Sequence, residues 1–193
     1  MKVGIFSGSF NPVHGGHLGL ARWVLRQQYV DEIWFIRSPR NPLKVHQYLL
    51  DDRHRLRMLQ LAIARESKMK ICHIEDELPK PSYTIHTLEA LSRRYPADEF
   101  YLIVGADNWQ IFTKWYRWED IVNRFHLLVY PRSGDELLSV DKSRFPHVSV
   151  IDAPLFPIPA TQIREAIGRG DPELSSWLTP EVREYIEQNH LYR

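Results

Sequence analysis

Short apolar runs alternating with longer amphipathic stretches constrain this chain more than any other feature. Candidate strands are Val3–Phe6, Glu32–Arg37, Lys70–Ile74, Glu99–Val104, Phe125–Tyr130 and Val148–Asp152. Their apolar residues come consecutively rather than at every second position, as strands require when helices cover both faces. Helical periodicity fills the gaps. Leu18, Ala21, Trp23, Val24 and Leu25 form a stripe after Gly16, and Asp51 or Asp52 can cap a helix carrying Leu56, Leu59, Gln60 and Ile63. Thr84 opens a further helix with Leu88 and Leu91 inside and Pro96 beyond its end. Thr161 can cap one through Ile163, Ala166 and Ile167, which Gly170 is placed to end. Thr179-Pro180 starts the last, through Val182, Tyr185 and Ile186. The alternation implies an α/β fold built on a doubly wound parallel sheet. We expect one domain, 1–193, with a short C-terminal helical segment from about residue 160 to 193. Ligands of such sheets bind beyond the carboxyl ends of the strands, at the switch point, so the loops after each strand are the ones to search. The polar stretch Pro131–Pro146 reads as a surface excursion.

Composition narrows the partners. With 25 basic residues against 24 acidic, the chain lacks the cationic excess that long nucleic acid demands. A small phosphate ligand needs only a few local cations. The single cysteine, Cys72, lies in an apolar stretch and reads as a small buried hydrophobe. The run Met1–Phe6 is too short for a signal peptide, and no stretch approaches the roughly 20 apolar residues of a membrane span, so we expect a cytoplasmic protein without a membrane partner.

The loop after the first strand carries the chemistry. Gly8-Ser9-Phe10-Asn11-Pro12-Val13-His14-Gly15-Gly16-His17 leaves a strand and opens a helix. Its glycines permit close approach by a ligand, and the helix start is expected to offer free amides and a partial positive end to phosphate. His14 and His17, three apart, add side-chain donors. Neither G-x-x-x-x-G-K-[ST] nor G-x-G-x-x-G occurs here. A metal would need further ligands nearby, and His46, His54, His73 and His86 show no ligand spacing, so no metal site is assigned.

This decapeptide resembles the G-[GS]-[TS]-F-[DN]-P-x-H-x-G-H signature of the nucleotidylyltransferase superfamily with its HxGH motif. Later segments narrow the resemblance to the bacterial nicotinate-nucleotide adenylyltransferases. Ser82-Tyr83-Thr84-Ile85-His86-Thr87-Leu88 is similar to that family's SYTxxTL segment, and Gly105-Ala106-Asp107-Asn108 with Trp115-Tyr116 to its G-[AQ]-D and W-[YF] pair. Ile158-Pro159-Ala160-Thr161-Gln162-Ile163-Arg164 resembles IS[SA]TxIR, and Tyr185-Ile186 to Leu191-Tyr192-Arg193 matches the terminal helix. The resemblance implies a Rossmann-like nucleotidyltransferase fold. It also implies transfer of AMP from ATP to nicotinate mononucleotide, giving deamido-NAD and pyrophosphate for NAD biosynthesis. The acceptor phosphate is already a nucleophile at neutral pH, so catalysis reduces to alignment and charge neutralisation.

By that resemblance His14, His17, Lys44 and Arg164 are the catalytic set. Gly8, Ser9, Phe10, Gly105, Asp107 and Ile163 join His14, His17 and Arg164 around ATP, with Asp107 accepting from a ribose hydroxyl. His17 is weighted above His14 because it begins the helix, and Arg164 is placed in the first turn of its own. Lys44, after the second strand, reaches phosphates and acceptor. Thr84 offers helix amides to the nicotinate carboxylate, Trp115 stacks on the ring, and the Tyr116 amide is a second donor. Magnesium is expected with ATP as its complex, held mainly by water and phosphate oxygens. Association with further copies of the chain is left open. Two positions depart from the pattern. Asn11 replaces the commoner aspartate and removes a charge, and Pro159 replaces serine and deletes a hydroxyl and an amide. Rival readings are preference for nicotinamide mononucleotide and a nucleotide-binding regulator without catalysis. Pantetheine-phosphate adenylyltransferase shares the first motif but not the Thr84 and Trp115 segments.

Overall fold

The computed structural model describes residues 1–38, 49–132, 140–156, 159–172 and 176–193. Six strands form one sheet in the order β3-β2-β1-β4-β5-β6. They are β1 (Lys2–Gly8), β2 (Glu32–Arg37), β3 (Met69–Ile71), β4 (Glu99–Gly105), β5 (His126–Tyr130) and β6 (Val148–Val150). Every neighbouring pair is parallel. The chain winds outward from β1 in one direction and from β4 in the other, so the switch point falls between these two. The helices are α1 (Gly15–Arg26), α2 (Asp52–Ile63), α3 (Thr84–Arg94), α4 (Ala106–Gln110), α5 (Trp118–Arg124), α6 (Ala160–Arg169) and α7 (Pro180–Gln188), with 3-10 turns at Ile74–Glu77 and Phe112–Lys114.

The consecutive apolar residues of the strands divide between two cores, because successive side chains point to opposite faces. Phe6, Ile33, Phe35, Ile103 and Leu128 pack under α1, α2, α6 and α7. Val3, Ile5, Trp34, Ile36, Leu102, Val104, Leu127 and Val129 pack under α3 and α5. The α2 stripe differs from the expected one: Arg55, Met58, Leu59, Ala62 and Ile63 are buried, and Gln60 is exposed. A buried arginine in an apolar stripe has to find polar partners inside. The third strand is shorter than expected because Ile74 already belongs to a 3-10 turn. Asp51 rather than Asp52 caps α2. Pro159, not Thr161, occupies the cap position of α6, at φ −75°, an angle proline adopts without strain. Gly170 ends that helix in the left-handed conformation. Among the described residues no helix is long and apolar enough to cross a membrane.

Candidate active site

The carboxyl ends of β1 and β4, at Gly8 and Gly105, define the crevice where the expected residues should gather. The loop leaving β1 turns sharply at Phe10 (φ 45°), whose ring is buried against Phe6, Phe35 and the edge of His17. Gly8 leaves room here, because a Cβ on it would lie 3.1 Å from the Phe10 ring, tighter than ordinary contact. Phe10 therefore serves the site by shaping backbone, while Ser9 stays exposed. Arg55, only 1% exposed, holds the loop from below. Its Nη1 donates to the carbonyls of Ser9 (2.8 Å) and Ser38 (3.1 Å), its Nε to Leu50 O (3.1 Å) and its Nη2 to Asp52 (2.8 Å). One guanidinium thus ties the ends of the β1 and β2 loops to α2.

His14 is the N-cap of α1 and His17 its third residue. His14 Nδ1 accepts from Gly16 N at 3.1 Å, and His17 Nδ1 accepts from His14 N at 3.2 Å. With both Nδ1 atoms acting as acceptors, each neutral ring carries its proton on Nε2, free to donate to an anion. The rings lie 3.8 Å apart between centroids. Burial, with help from Arg132, lowers His14 from an ordinary 6.5 to about 4. His17 still meets some solvent, yet burial, then His14 and Arg132, hold it well below the usual histidine range. The pair is thus neutral at physiological pH.

The expectation of free amides at this helix start is not met. Gly15 N donates to Trp177 O (2.7 Å), Gly16 N to the His14 ring and His17 N to His14 O (2.9 Å). Here an anion would be received by imidazole N–H groups and the helix dipole, not by the first amides. Among the longer helices, α3 and α6 open without a side-chain cap.

Arg164 comes to the β1 loop from far along the chain. Its Nη1 donates to Asn11 O at 2.7 Å and its Nη2 to Thr161 Oγ1 at 3.0 Å. It is the fifth residue of α6, beyond the first turn in which the sequence reading put it. Asn11 proves structural. It is buried, and its Oδ1 accepts from Tyr192 Oη (2.8 Å) and Leu50 N (3.4 Å). Ile163 is wholly buried, so only its backbone can face the crevice.

Across the crevice, Asp107 lies in the first turn of α4, and its buried Oδ1 has an ion pair with Arg132 Nε at 3.4 Å but no hydrogen-bond donor among the described residues. Arg132 Nη2 also donates to Tyr130 Oη at 3.0 Å. Gly105 permits this crowding, since a Cβ on it would sit 2.6 Å from Asp107 Oδ1 and 2.9 Å from Arg132 Nε. Sequence reasoning passed over Arg132 inside the Pro131–Pro146 excursion. Its place just beyond the carboxyl end of β5 was the available signal.

Thr84 begins α3, and the Trp115-Tyr116 segment lies beside it, with the rings of Tyr83 and Tyr116 4.6 Å apart. His86 completes this aromatic cluster. Trp115 is half-buried and packs one face against Phe112 at 4.7 Å. Its amide bonds Phe112 O at 2.9 Å. Lys44 lies outside the described residues. No group of three His, Cys, Asp or Glu that could hold a metal ion occurs among the described residues. The arrangement can donate hydrogen bonds to a polyanion from the neutral His14 and His17 rings, can offset its charge with the Arg132 and Arg164 guanidinium groups, and can seat a flat ring with an anionic group near Thr84.

Residues 5–166 match the cytidylyltransferase-like family. A Bacteroides fragilis protein named probable nicotinate-nucleotide adenylyltransferase is 47% identical over 97% of this chain and 92% of its own length. The Flavobacterium johnsoniae protein of the same name is 42% identical over the full length of both. A solved structure of the Plasmodium falciparum nicotinic acid mononucleotide adenylyltransferase, complexed with NaAD, superposes with a TM-score of 0.79 at 20% identity, covering 99% of this chain and 97% of that one. That likeness extends the shared fold beyond close relatives.

Proposed function

Because the chain belongs to the cytidylyltransferase-like family, and within it to the nicotinate-nucleotide adenylyltransferases, we infer that it transfers AMP from ATP to nicotinate mononucleotide, giving deamido-NAD and pyrophosphate. The observation that carries the reading for this chain's own residues is the His14–His17 pair. Two neutral rings, each locked through Nδ1, present Nε2–H donors at the switch point. We assign them to the phosphates of ATP. As negative charge builds on the leaving pyrophosphate, these donors stabilise it without reorganising.

Arg164 is assigned to the same phosphates. Its anchorage on Asn11 O supports this, because it fixes the guanidinium against the β1 loop. Gly8, Ser9, Phe10 and Ile163 contribute backbone, and Gly105 gives Asp107 room. Asp107 Oδ1, buried beside Arg132 and without a hydrogen-bond donor among the described residues, suits a ribose hydroxyl. Thr84, Trp115 and Tyr116 are assigned to the nicotinate end, supported by the uncapped start of α3 and by the aromatic surfaces beside it. Trp115 is half-buried with its ring steadied against Phe112, and an indole so held can stack on a flat ring. Lys44 stays in the proposal on the sequence resemblance alone. Magnesium enters with ATP, held by phosphate oxygens and water. We place the reaction in the cytoplasm, a reading with which the absence of a membrane-crossing helix among the described residues is compatible.

The test is pyrophosphate release from MgATP with nicotinate mononucleotide or nicotinamide mononucleotide as acceptor. Clear preference for nicotinate mononucleotide is expected. Equal or inverted preference would remove the substrate assignment, and no release at high enzyme concentration would favour a binding protein. His17→Ala is expected to lower kcat by about two orders of magnitude with the fold intact. A near-normal rate would remove the assignment of the loop.

A further inference from the structure

One buried carboxylate has no part in the assignments above. Glu75, 7% exposed, sits in the 3-10 turn Ile74–Glu77. Its Oε1 accepts from Thr87 Oγ1 at 2.9 Å and its Oε2 from Ser82 Oγ at 3.1 Å. Its carbonyl accepts from Lys80 Nζ at 2.6 Å. Burial is costly for a carboxylate unless hydrogen bonds compensate, and here both oxygens are used. The two donors flank Tyr83–His86, where α3 opens. They approach the carboxylate from either side of the N-cap, so the clamp fixes both ends of that turn at once.

The local chemistry of the turn makes the clamp matter. α1, α2 and α7 are capped by side-chain atoms of His14, Asp51 and Thr179, whereas Tyr83 gives α3 no side-chain cap. Ser82, beside the N-cap residue, carries the kind of hydroxyl that commonly turns onto opening amides. Glu75 engages that hydroxyl as a donor and directs it away. The turn is thereby held rigid by a group outside the helix, without an internal acceptor on its first amides.

We propose that Glu75 is the positioning residue of the acceptor subsite: its two-hydroxyl clamp on Ser82 and Thr87 holds the start of α3 so that its opening amides meet the carboxylate of a nicotinate-type acceptor. The proposal rests on the activity inferred above. Glu75 acts through the backbone of Thr84 and touches neither ATP nor the acceptor.

The experiment is steady-state pyrophosphate release by the full chain, varying MgATP and nicotinate mononucleotide separately, for wild type, Glu75→Ala and Glu75→Gln. Glu75→Ala is expected to raise KM for nicotinate mononucleotide about tenfold, equivalent to about 1.4 kcal/mol of acceptor binding. KM for ATP should stay within about twofold. Glu75→Gln should recover most of the loss, since a side-chain amide can also bridge two hydroxyls. If Glu75→Ala does not fold, Thr87→Val removes one donor and should raise the same KM alone. Both KM values rising together, neither rising, or Gln failing to rescue would overturn the positioning role. A wild-type chain that releases no pyrophosphate would instead overturn the activity reading beneath it.

Discussion

Acid should weaken this fold through His14, in a window set by its burial. In the unfolded chain the imidazole titrates at its ordinary 6.5, whereas in the folded protein it is held at about 4. The unfolded state therefore takes up a proton that the folded state refuses. The stabilising contribution is complete above about pH 6.5 and is lost as pH falls from there through about 4. The whole difference is worth about 3 kcal/mol, of which about 2 kcal/mol is gone by pH 5. Protonation would also remove the Nδ1 lone pair that accepts from Gly16 N, breaking the cap of α1. His14→Asn is the matched control, because asparagine keeps a capping acceptor but carries no proton to titrate. Denaturant unfolding of both proteins at pH 7 and pH 5 measures the effect. The wild type should lose about 2 kcal/mol more than His14→Asn over this interval. Equal losses would refute the link between burial of the ring and acid sensitivity.

Other substitutions probe the scaffold around the crevice. Arg55→Met should destabilise the protein by about 3 kcal/mol in denaturant unfolding, because it strips a buried guanidinium's donors from the carbonyls of Ser9, Ser38 and Leu50 and leaves Asp52 without that partner. A loss under about 1 kcal/mol would show that those carbonyls find other partners. Tyr192→Phe removes the hydroxyl bonded to Asn11, whose carbonyl anchors Arg164. KM for ATP should rise about fivefold, with the acceptor's unchanged. Gly105→Ala places a Cβ 2.6 Å from Asp107 Oδ1 and should cut kcat/KM about tenfold while the thermal midpoint barely moves. A large fall in midpoint would show that the crowding strains the core instead.

How far the sequence carried depends on the range of the physics involved. Period and capping are local, so the strand Glu32–Arg37, the helix Thr84–Arg94 and the Gly170 stop were readable in place. The parallel, doubly wound sheet followed from the alternation itself, and the loops at its carboxyl edge followed from the sheet. The motif residues His14, His17, Thr84, Asp107 and Arg164 could be named because their segments resemble those of the nicotinate-nucleotide adenylyltransferases.

What could not be read was which groups would already be satisfied. The Gly15 amide at the start of α1 looked free because Trp177, whose carbonyl takes it, is distant in sequence. The sequence reading did not include Arg55, although it falls in step with Met58, Leu59 and Ala62 on the buried face. Glu75, Arg132 and Tyr192 gained their places only when separate loops met. Sequence thus determined the elements, their order and the edge that binds ligand. Tertiary structure alone decided which polar atoms near that edge remain available, because hydrogen-bond satisfaction depends on neighbours that only folding brings within 3 Å or so.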